Sequence, residues 1–316
     1  MTEKSVAILG ATGHVGKVLT AGLAATGRYR VCAVARDRLK LESFLTSLPS
    51  AETISRAAFE EFSGGAHDVV INCVGIGDPA GITFSGASIL ELTERFDALV
   101  MDYLVSRPNT RCISFSSGAA YGGDFVEPVS ESTPAVVPIN AIRPTDYYGI
   151  AKLASEARHR GADEFSIVDL RLFGLFSRYA DFSASFFMTD VYRAIAGKTR
   201  LEVGPESIHR DYVGPHDLTA LVAALVEAEA TNDVYDVYSL APAEKFELLD
   251  HFASRYGLSY DVRQDRTAPP ATGIKPHYYS TNRRAALIGY TPTRTSIQSL
   301  TKEIDALLES RNGGIL

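Results

Sequence analysis

The stretch Val6-Ala7-Ile8-Leu9-Gly10-Ala11-Thr12-Gly13-His14-Val15-Gly16 decides the fold. Its four leading apolar residues read as a strand buried on both faces. The stripe Val15, Val18, Leu19, Gly22 and Leu23 reads as one face of a helix that stops at Gly27. Spaced glycines alone are weak evidence, but glycines set between such a strand and such a helix describe a dinucleotide-binding turn. Gly10 permits the tight turn, Gly13 lets the backbone approach a pyrophosphate, and Gly16 allows close helix packing, while free amides at the helix start bind the anion. Thr12, His14 and Val15 join those glycines as expected cofactor-binding positions, with His14 either a phosphate contact or a surface residue.

The same alternation continues outward. Apolar runs at 5–9, 30–35, 68–74, 111–115 and 166–170 read as buried strands with helical patterns between most of them. That order predicts an α/β fold, a Rossmann-type doubly wound parallel sheet. Another helical stripe runs Leu92, Phe96, Leu99, Val100, Tyr103 and Leu104 before Pro108. From about residue 172 the pattern loosens, broken by Gly197, Gly204, Pro205, Pro215 and the pair Pro269-Pro270. The expected organisation is therefore a nucleotide-binding domain over 1–171 that carries the catalytic groups, and a smaller substrate-binding lobe over 172–316 with some elements returning to the sheet. Within that lobe Ile297, Leu300, Ile304, Leu307 and Leu308 predict a docking helix.

Composition narrows the function classes. A chain of 316 residues with a net charge of -7 has no global basic field for nucleic acid or an anionic membrane. Its apolar runs are too short to span a bilayer, and Glu3 and Lys4 lead directly into a strand, so a cytoplasmic protein is expected. Cys32, Cys73 and Cys112 fall in predicted buried strands and read as reduced core thiols. His14, His67, His159, His209, His216, His251 and His277 lack metal-ligand spacing, and no metal is expected.

The end of the second strand bears on which nicotinamide is used. An acidic residue there suits the ribose hydroxyls of NAD, and an arginine suits a 2′-phosphate. Here Arg36, Asp37 and Arg38 follow the strand. NADP(H) is favoured, read by Arg36 first and Arg38 second; NAD(H) is the alternative, with Arg36 solvated and Asp37 on the ribose.

Ser116-Ser117 and the segment Tyr148-Gly149-Ile150-Ala151-Lys152 carry the chemistry. Tyrosine and lysine four residues apart share a helix face, so the ammonium can favour the ionised phenol and make it a proton carrier near neutral pH. Tyr147 is a poor rival, because Ala151 stands four residues beyond it.

These motifs occur together with Asn72-Cys73-Val74-Gly75, the run 116–122, Leu170-Arg171-Leu172-Phe173 and Arg210-Asp211-Tyr212-Val213. In that order, over about residues 5–300, the chain resembles the extended short-chain dehydrogenase/reductases, in their nucleotide-sugar epimerase/dehydratase branch. The resemblance implies that Ser117, rather than Ser116, holds the reacting oxygen, that Tyr148 carries its proton, and that Lys152 lowers the phenol and holds the cofactor ribose. It implies cofactor contacts at Cys73, Val74 and Gly75, and substrate contacts at Ser117, Gly118, Ala119, Tyr148 and Arg210, the last gripping a diphosphate. It also implies a homodimer formed through the 92–104 stripe and the Lys152 helix.

Two departures matter. Dehydratases of the branch place an acidic pair where this chain has Gly118 and Ala119, which argues against dehydration. An asparagine usual after the Leu-Arg-x-Phe segment is Gly174 here, and Phe176-Ser177-Arg178-Tyr179 is also unusual. The expected activity is reduction of a keto group on a nucleoside-diphosphate sugar by NADPH. One alternative is an epimerase that keeps NAD through oxidation and re-reduction; another is a catalytically silent cofactor-binding sensor or scaffold.

Overall fold

The apolar runs form a parallel sheet. β1 (Lys4–Leu9), β2 (Tyr29–Val34), β3 (Ser55–Ala57), β4 (Val69–Asn72), β5 (Arg111–Ser117) and β6 (Ile167–Leu172) follow in chain order. β7 (Arg200–Val203) and β8 (His209–Arg210) leave this sheet, and β9 (Asp233–Val237) returns to it. The strand order is β3-β2-β1-β4-β5-β6-β9, with every pairing parallel. The chain reverses direction across the sheet beside β1, and in such sheets ligands bind at the carboxyl ends of the strands next to that reversal. A computed structural model supplies these coordinates and describes residues 3–75, 81, 84–264 and 275–312.

Burial explains why the strands form where they do. Val6, Ala7, Ile8 and Leu9 are fully enclosed, as expected for a strand covered on both faces. Strand ends differ from the sequence reading. β4 stops at Asn72, whose side chain accepts the Val74 amide at 3.1 Å and turns the chain, so Cys73 and Val74 lie past the strand. β5 extends to Ser117, carrying both serines. β3 and β9 escaped the sequence reading because the first is three polar or small residues and the second alternates acidic with apolar ones.

Helices cover both faces. α1 (His14–Ala25), α2 (Arg38–Thr46) and the short α3 (Phe59–Phe62) precede α4 (Ser88–Ser106) and α5 (Tyr147–Gly161). α6 (Phe187–Gly197), α7 (Pro215–Glu227), α8 (Lys245–Tyr256) and α9 (Ser296–Asn312) complete the set among the described residues. One core joins the sheet to α1, α2 and α7; Val18, Leu19, Leu23, Leu218, Leu221 and Leu225 meet there. A Cβ at Gly22 would overlap the Thr219 side chain, so this glycine sets how closely α1 and α7 approach. The opposite core uses Val100, Tyr103 and Leu104 of α4. A separate cluster joins α6, α8 and α9 through Val191, Leu248, Phe252, Leu300 and Ile304, with Ile297 and Leu308 packed against it. The expected C-terminal docking helix is α9, and its partners are these lobe helices. Small sheets complete the lobe: β8 lies between β10 (Ala243–Glu244) and β12 (His277–Tyr278), and β7 pairs with β11 (Ser259–Val262).

Two contacts hold α5 in place. The buried His159 imidazole bridges Asp169 of β6 at 2.8 Å and Asp97 of α4 at 2.7 Å. Burial pulls this imidazole down, but the two carboxylates outweigh it and push it up to about 9. At the helix start, a Cβ on Gly149 would overlap the Ala119 carbonyl oxygen. Only glycine lets the first turn of α5 lie against the turn after β5.

Replacing His159 with leucine leaves two buried carboxylates without their shared partner, and we expect a loss of roughly 3 kcal/mol in urea unfolding at pH 6. The sign follows from a raised folded-state value: the contribution is complete below 6.5 and is lost as pH rises through about 9, so the gap between wild type and variant should narrow over that interval. Gly149→Ala should cost about 1–3 kcal/mol by overpacking and should lower turnover more than cofactor affinity, measured by calorimetric unfolding and cofactor titration.

Candidate active site

The glycine turn is built by close backbone approach. Gly10 has φ +78°, and its amide and that of Ala11 donate to the Val34 carbonyl at 3.0 and 3.1 Å. A Cβ at Gly10 would lie 3.1 Å from the Cys73 carbonyl carbon, where β1 and β4 deliver their chains together. A Cβ at Gly16 would overlap the Gly10 oxygen. Gly13 precedes α1 and contributes no capping side chain, so the first amides of the helix remain available to an anion. A cradle closed to side chains and lined by amides fits the pyrophosphate of a dinucleotide.

His14 does something the sequence left open. Its Nε2 lies 2.8 Å from Ser177 Oγ, a hydroxyl with no exposure, which also accepts the Tyr179 amide at 3.1 Å. Burial, then Lys17, pushes the imidazole down to about 4, so it is neutral under ordinary conditions. The unusual segment at 176–179 is thus laid against the glycine turn, with the Tyr179 ring edge-on to Phe44 at 5.7 Å. At the end of β2, Arg36 and Arg38 are exposed. The Asp37 carboxylate caps α2 by accepting the Lys40 amide at 3.0 Å.

Lys152 sits at the heart of the pocket. Its buried Nζ donates to the Phe115 carbonyl at 2.8 Å, and a Cβ at Gly75 would lie 3.5 Å from it. The ammonium is therefore held between β5 and the chain leaving β4, with Tyr148 one turn earlier on α5 and half-buried against Ile89 and Ala151. The two serines diverge, as neighbours on a strand must. Ser116 Oγ donates to Glu156 at 2.5 Å, behind the pocket. Ser117 Oγ accepts the Ala119 amide at 3.2 Å and lies 3.1 Å from the Tyr278 hydroxyl.

Behind Ser116 runs a buried polar chain. Arg171 grips Glu156 through two nitrogens at 2.6 to 3.1 Å, lies 3.8 Å from Asp236, and stacks over the Tyr121 ring at 4.3 Å. Asp236 accepts the hydroxyls of Tyr121 at 2.8 Å and Ser280 at 2.5 Å. Burial raises the Asp236 carboxyl above its ordinary value.

The departures from the family pattern have steric causes. A Cβ at Gly118 would run into the Phe173 ring. At Gly174 it would lie 2.5 Å from the Asp211 oxygen, because Val213 donates its amide to the Gly174 carbonyl at 3.0 Å. Asp211 orders this turn by accepting the Ser239 amide and the Ser296 hydroxyl, both near 3.1 Å. Arg210 donates to the carbonyls of His209 at 2.8 Å and Lys275 at 2.6 Å, and lies over Tyr278.

Sequence reasoning missed Tyr278, Phe125 and Lys275, which gather beside Ser117. Phe125 and Tyr278 rings meet edge-on at 4.7 Å, and Phe173 lies 5.3 Å from Tyr278. No periodic pattern marks them; the aromatic pair Tyr278-Tyr279 after Pro276 is the one available cue. Loops such as that at 78–88 are where substrate choice is expected to be decided, and this one lies partly outside the described residues, as do Pro269 and Pro270. No helix of the described residues is long and apolar enough to cross a membrane.

Comparison with known proteins agrees with this fold. A UDP-glucuronic acid 4-epimerase from Bacillus cereus, solved with UDP-glucuronic acid and NAD, superposes with a TM-score of 0.79 at 17% identity, covering 96% of this chain and 99% of that one. A UDP-N-acetylglucosamine 4-epimerase from Methanobrevibacter ruminantium gives 0.80 at 15% identity, covering 98% and 100%. The UDP-glucose 4-epimerase of Thermotoga maritima gives 0.78 at 16%, covering 97% and 99%. No match was found among curated protein sequences. A family model for the NAD dependent epimerase/dehydratase family matches residues 6–241, so the chain belongs to that family of Rossmann-type enzymes.

Proposed function

We propose that this protein is a nucleotide-sugar epimerase that holds NAD through a cycle of oxidation and re-reduction. The observation that carries the reading is the Lys152 ammonium held at the Phe115 carbonyl beside the chain leaving β4, with Ser117 ending β5 and Tyr148 one turn earlier on α5. The bound nicotinamide would supply the hydride acceptor and donor. Tyr148 takes the proton from the sugar hydroxyl as hydride leaves and returns it when the keto group is reduced again. Ser117 donates a hydrogen bond to the same oxygen, stabilising the charge that grows there. Lys152, fixed by the Phe115 carbonyl, reaches toward the ribose. Arg210 would hold the diphosphate, since its planar fork suits phosphate oxygens.

The solved 4-epimerases of this fold favour the hydride-borrowing cycle over the NADPH-dependent ketoreductase that the sequence put first. The ketoreductase stays as a second reading on one observation: Arg36 is exposed at the end of β2, while Asp37 is committed to capping α2. Elimination of water has no support, since Phe173 fills the space a side chain at 118 would need.

Mass spectrometry of the nicotinamide released on denaturation separates the two. Retained NAD, with inversion of one sugar carbon in UDP-glucose, UDP-N-acetylglucosamine or UDP-glucuronate followed by NMR, is the expected outcome; freely exchanging NADPH consumed in stoichiometric reduction would overturn it. Tyr148→Phe should lower kcat at least about 100-fold while leaving cofactor affinity within about twofold. Unchanged turnover would remove Tyr148 from the chemistry.

A further inference from the structure

The segment that lies against the glycine turn is anchored in three directions. Phe176 belongs to the lobe cluster of α6, α8 and α9. Arg178 is held by the buried Glu303 of α9, which accepts its backbone amide at 2.9 Å and its guanidinium at 3.1 and 3.2 Å. Tyr179 packs on the sheet core and meets the Phe44 ring of α2, over which Lys17 of α1 also lies, at 5.7 Å. Between these anchors stands Ser177, without exposure, 2.8 Å from the Nε2 of His14, the first residue of α1. A line of contacts thus runs from α9 to the first turn of the helix whose amides line the cradle.

The direction of the His14 bond follows from what each group can give. Ser177 Oγ accepts the Tyr179 amide at 3.1 Å, and among the described residues its hydroxyl proton has no other acceptor than His14. The imidazole is neutral, because burial and then the Lys17 charge push it down to about 4. A neutral imidazole carries one donor and one acceptor. Were Nε2 the donor, a fully buried hydroxyl would keep an unpaired proton, which is costly. Ser177 therefore donates to Nε2, and the ring proton resides on Nδ1.

We propose that the hydrogen bond from Ser177 to His14 Nε2 is a clasp that sets the first turn of α1, so that retention of the cofactor depends on the 176–179 segment being docked. The proposal rests on the dinucleotide reading of the glycine turn and adds two positioning residues to it. His14 gives its side chain to the 176–179 segment and its backbone to the helix start, so neither can shift without the other.

Cofactor release and ring tautomer, measured on the full chain, test this. Release of bound NADH into excess NAD, followed by stopped-flow fluorescence, compares wild type with Ser177→Ala, His14→Asn and His14→Gln, with thermal unfolding to show that each is folded. Glutamine can place an oxygen where Nε2 lies and accept the Ser177 proton, whereas asparagine is one methylene too short. Ser177→Ala and His14→Asn should each release NADH about tenfold faster, and the two together no faster than either alone. His14→Gln should stay within about twofold of wild type. Nitrogen NMR of histidine-labelled wild type should show His14 with a bare Nε2 and a protonated Nδ1, a preference lost in Ser177→Ala. Unchanged release in folded Ser177→Ala and His14→Asn overturns the proposal, as does a proton on Nε2 in the wild type, which needs no variant to fold. If the wild type binds neither NAD(H) nor NADP(H) in titration calorimetry, the dinucleotide reading fails and the clasp loses its role, while the spectrum separately reports whether the bond exists.

Discussion

The two-nitrogen grip of Arg171 on Glu156 is the interaction on which the pocket depends. Arg171 comes from β6 and Glu156 from α5, and the same carboxylate accepts a hydrogen bond from the Ser116 hydroxyl of β5. The pair therefore fixes a helix against two adjacent strands from behind. Remove it, and β5 and α5, which carry Ser117, Lys152 and Tyr148, lose their common anchor on β6. Charged groups this deeply buried are tolerated because each is matched: Arg171 also faces Asp236 and the Tyr121 ring, and Asp236 in turn holds Ser280. Since Ser280 lies two residues beyond Tyr278, the polar chain reaches from the catalytic strand to the wall that the lobe contributes.

A second constraint is backbone contact. Gly10 turns with a positive φ close against the Cys73 carbonyl, and Gly16 and Gly149 stand where a carbonyl oxygen occupies the space of a side chain. The first two shape the amide cradle, and the third lets α5 begin against the turn after β5. Dispersion and hydrogen bonding then act at full strength, because nothing holds the segments apart. The consequence is a reaction centre whose parts sit on rigid elements, with Lys152 secured by a carbonyl and Ser117 by an amide.

Much of this was legible in the sequence because the information is local. The turn at 10–16 is flanked by its strand and helix, Tyr148 and Lys152 report their shared face through spacing, and apolar runs announce a buried parallel sheet. What stayed hidden depends on pairs far apart in the chain. Nothing near His14 announces Ser177, 163 positions away, and nothing near Ser117 announces Tyr278, 161 positions away. β9 was invisible because a short strand that alternates acidic and apolar residues acquires its place only from β6 beside it. Gly174, which stands where the branch usually has asparagine, is a steric requirement of the Asp211 backbone.

The contact between Phe173 and Gly118 bears on how such a scaffold can change over time. An acidic group at 118 has no room until the ring at 173 shrinks, and a smaller residue at 173 leaves a void against Tyr121 and Tyr278 until something fills it. Neither substitution is favourable alone. A substitution at either position alone therefore costs stability, and a side chain at 118 needs both to change together.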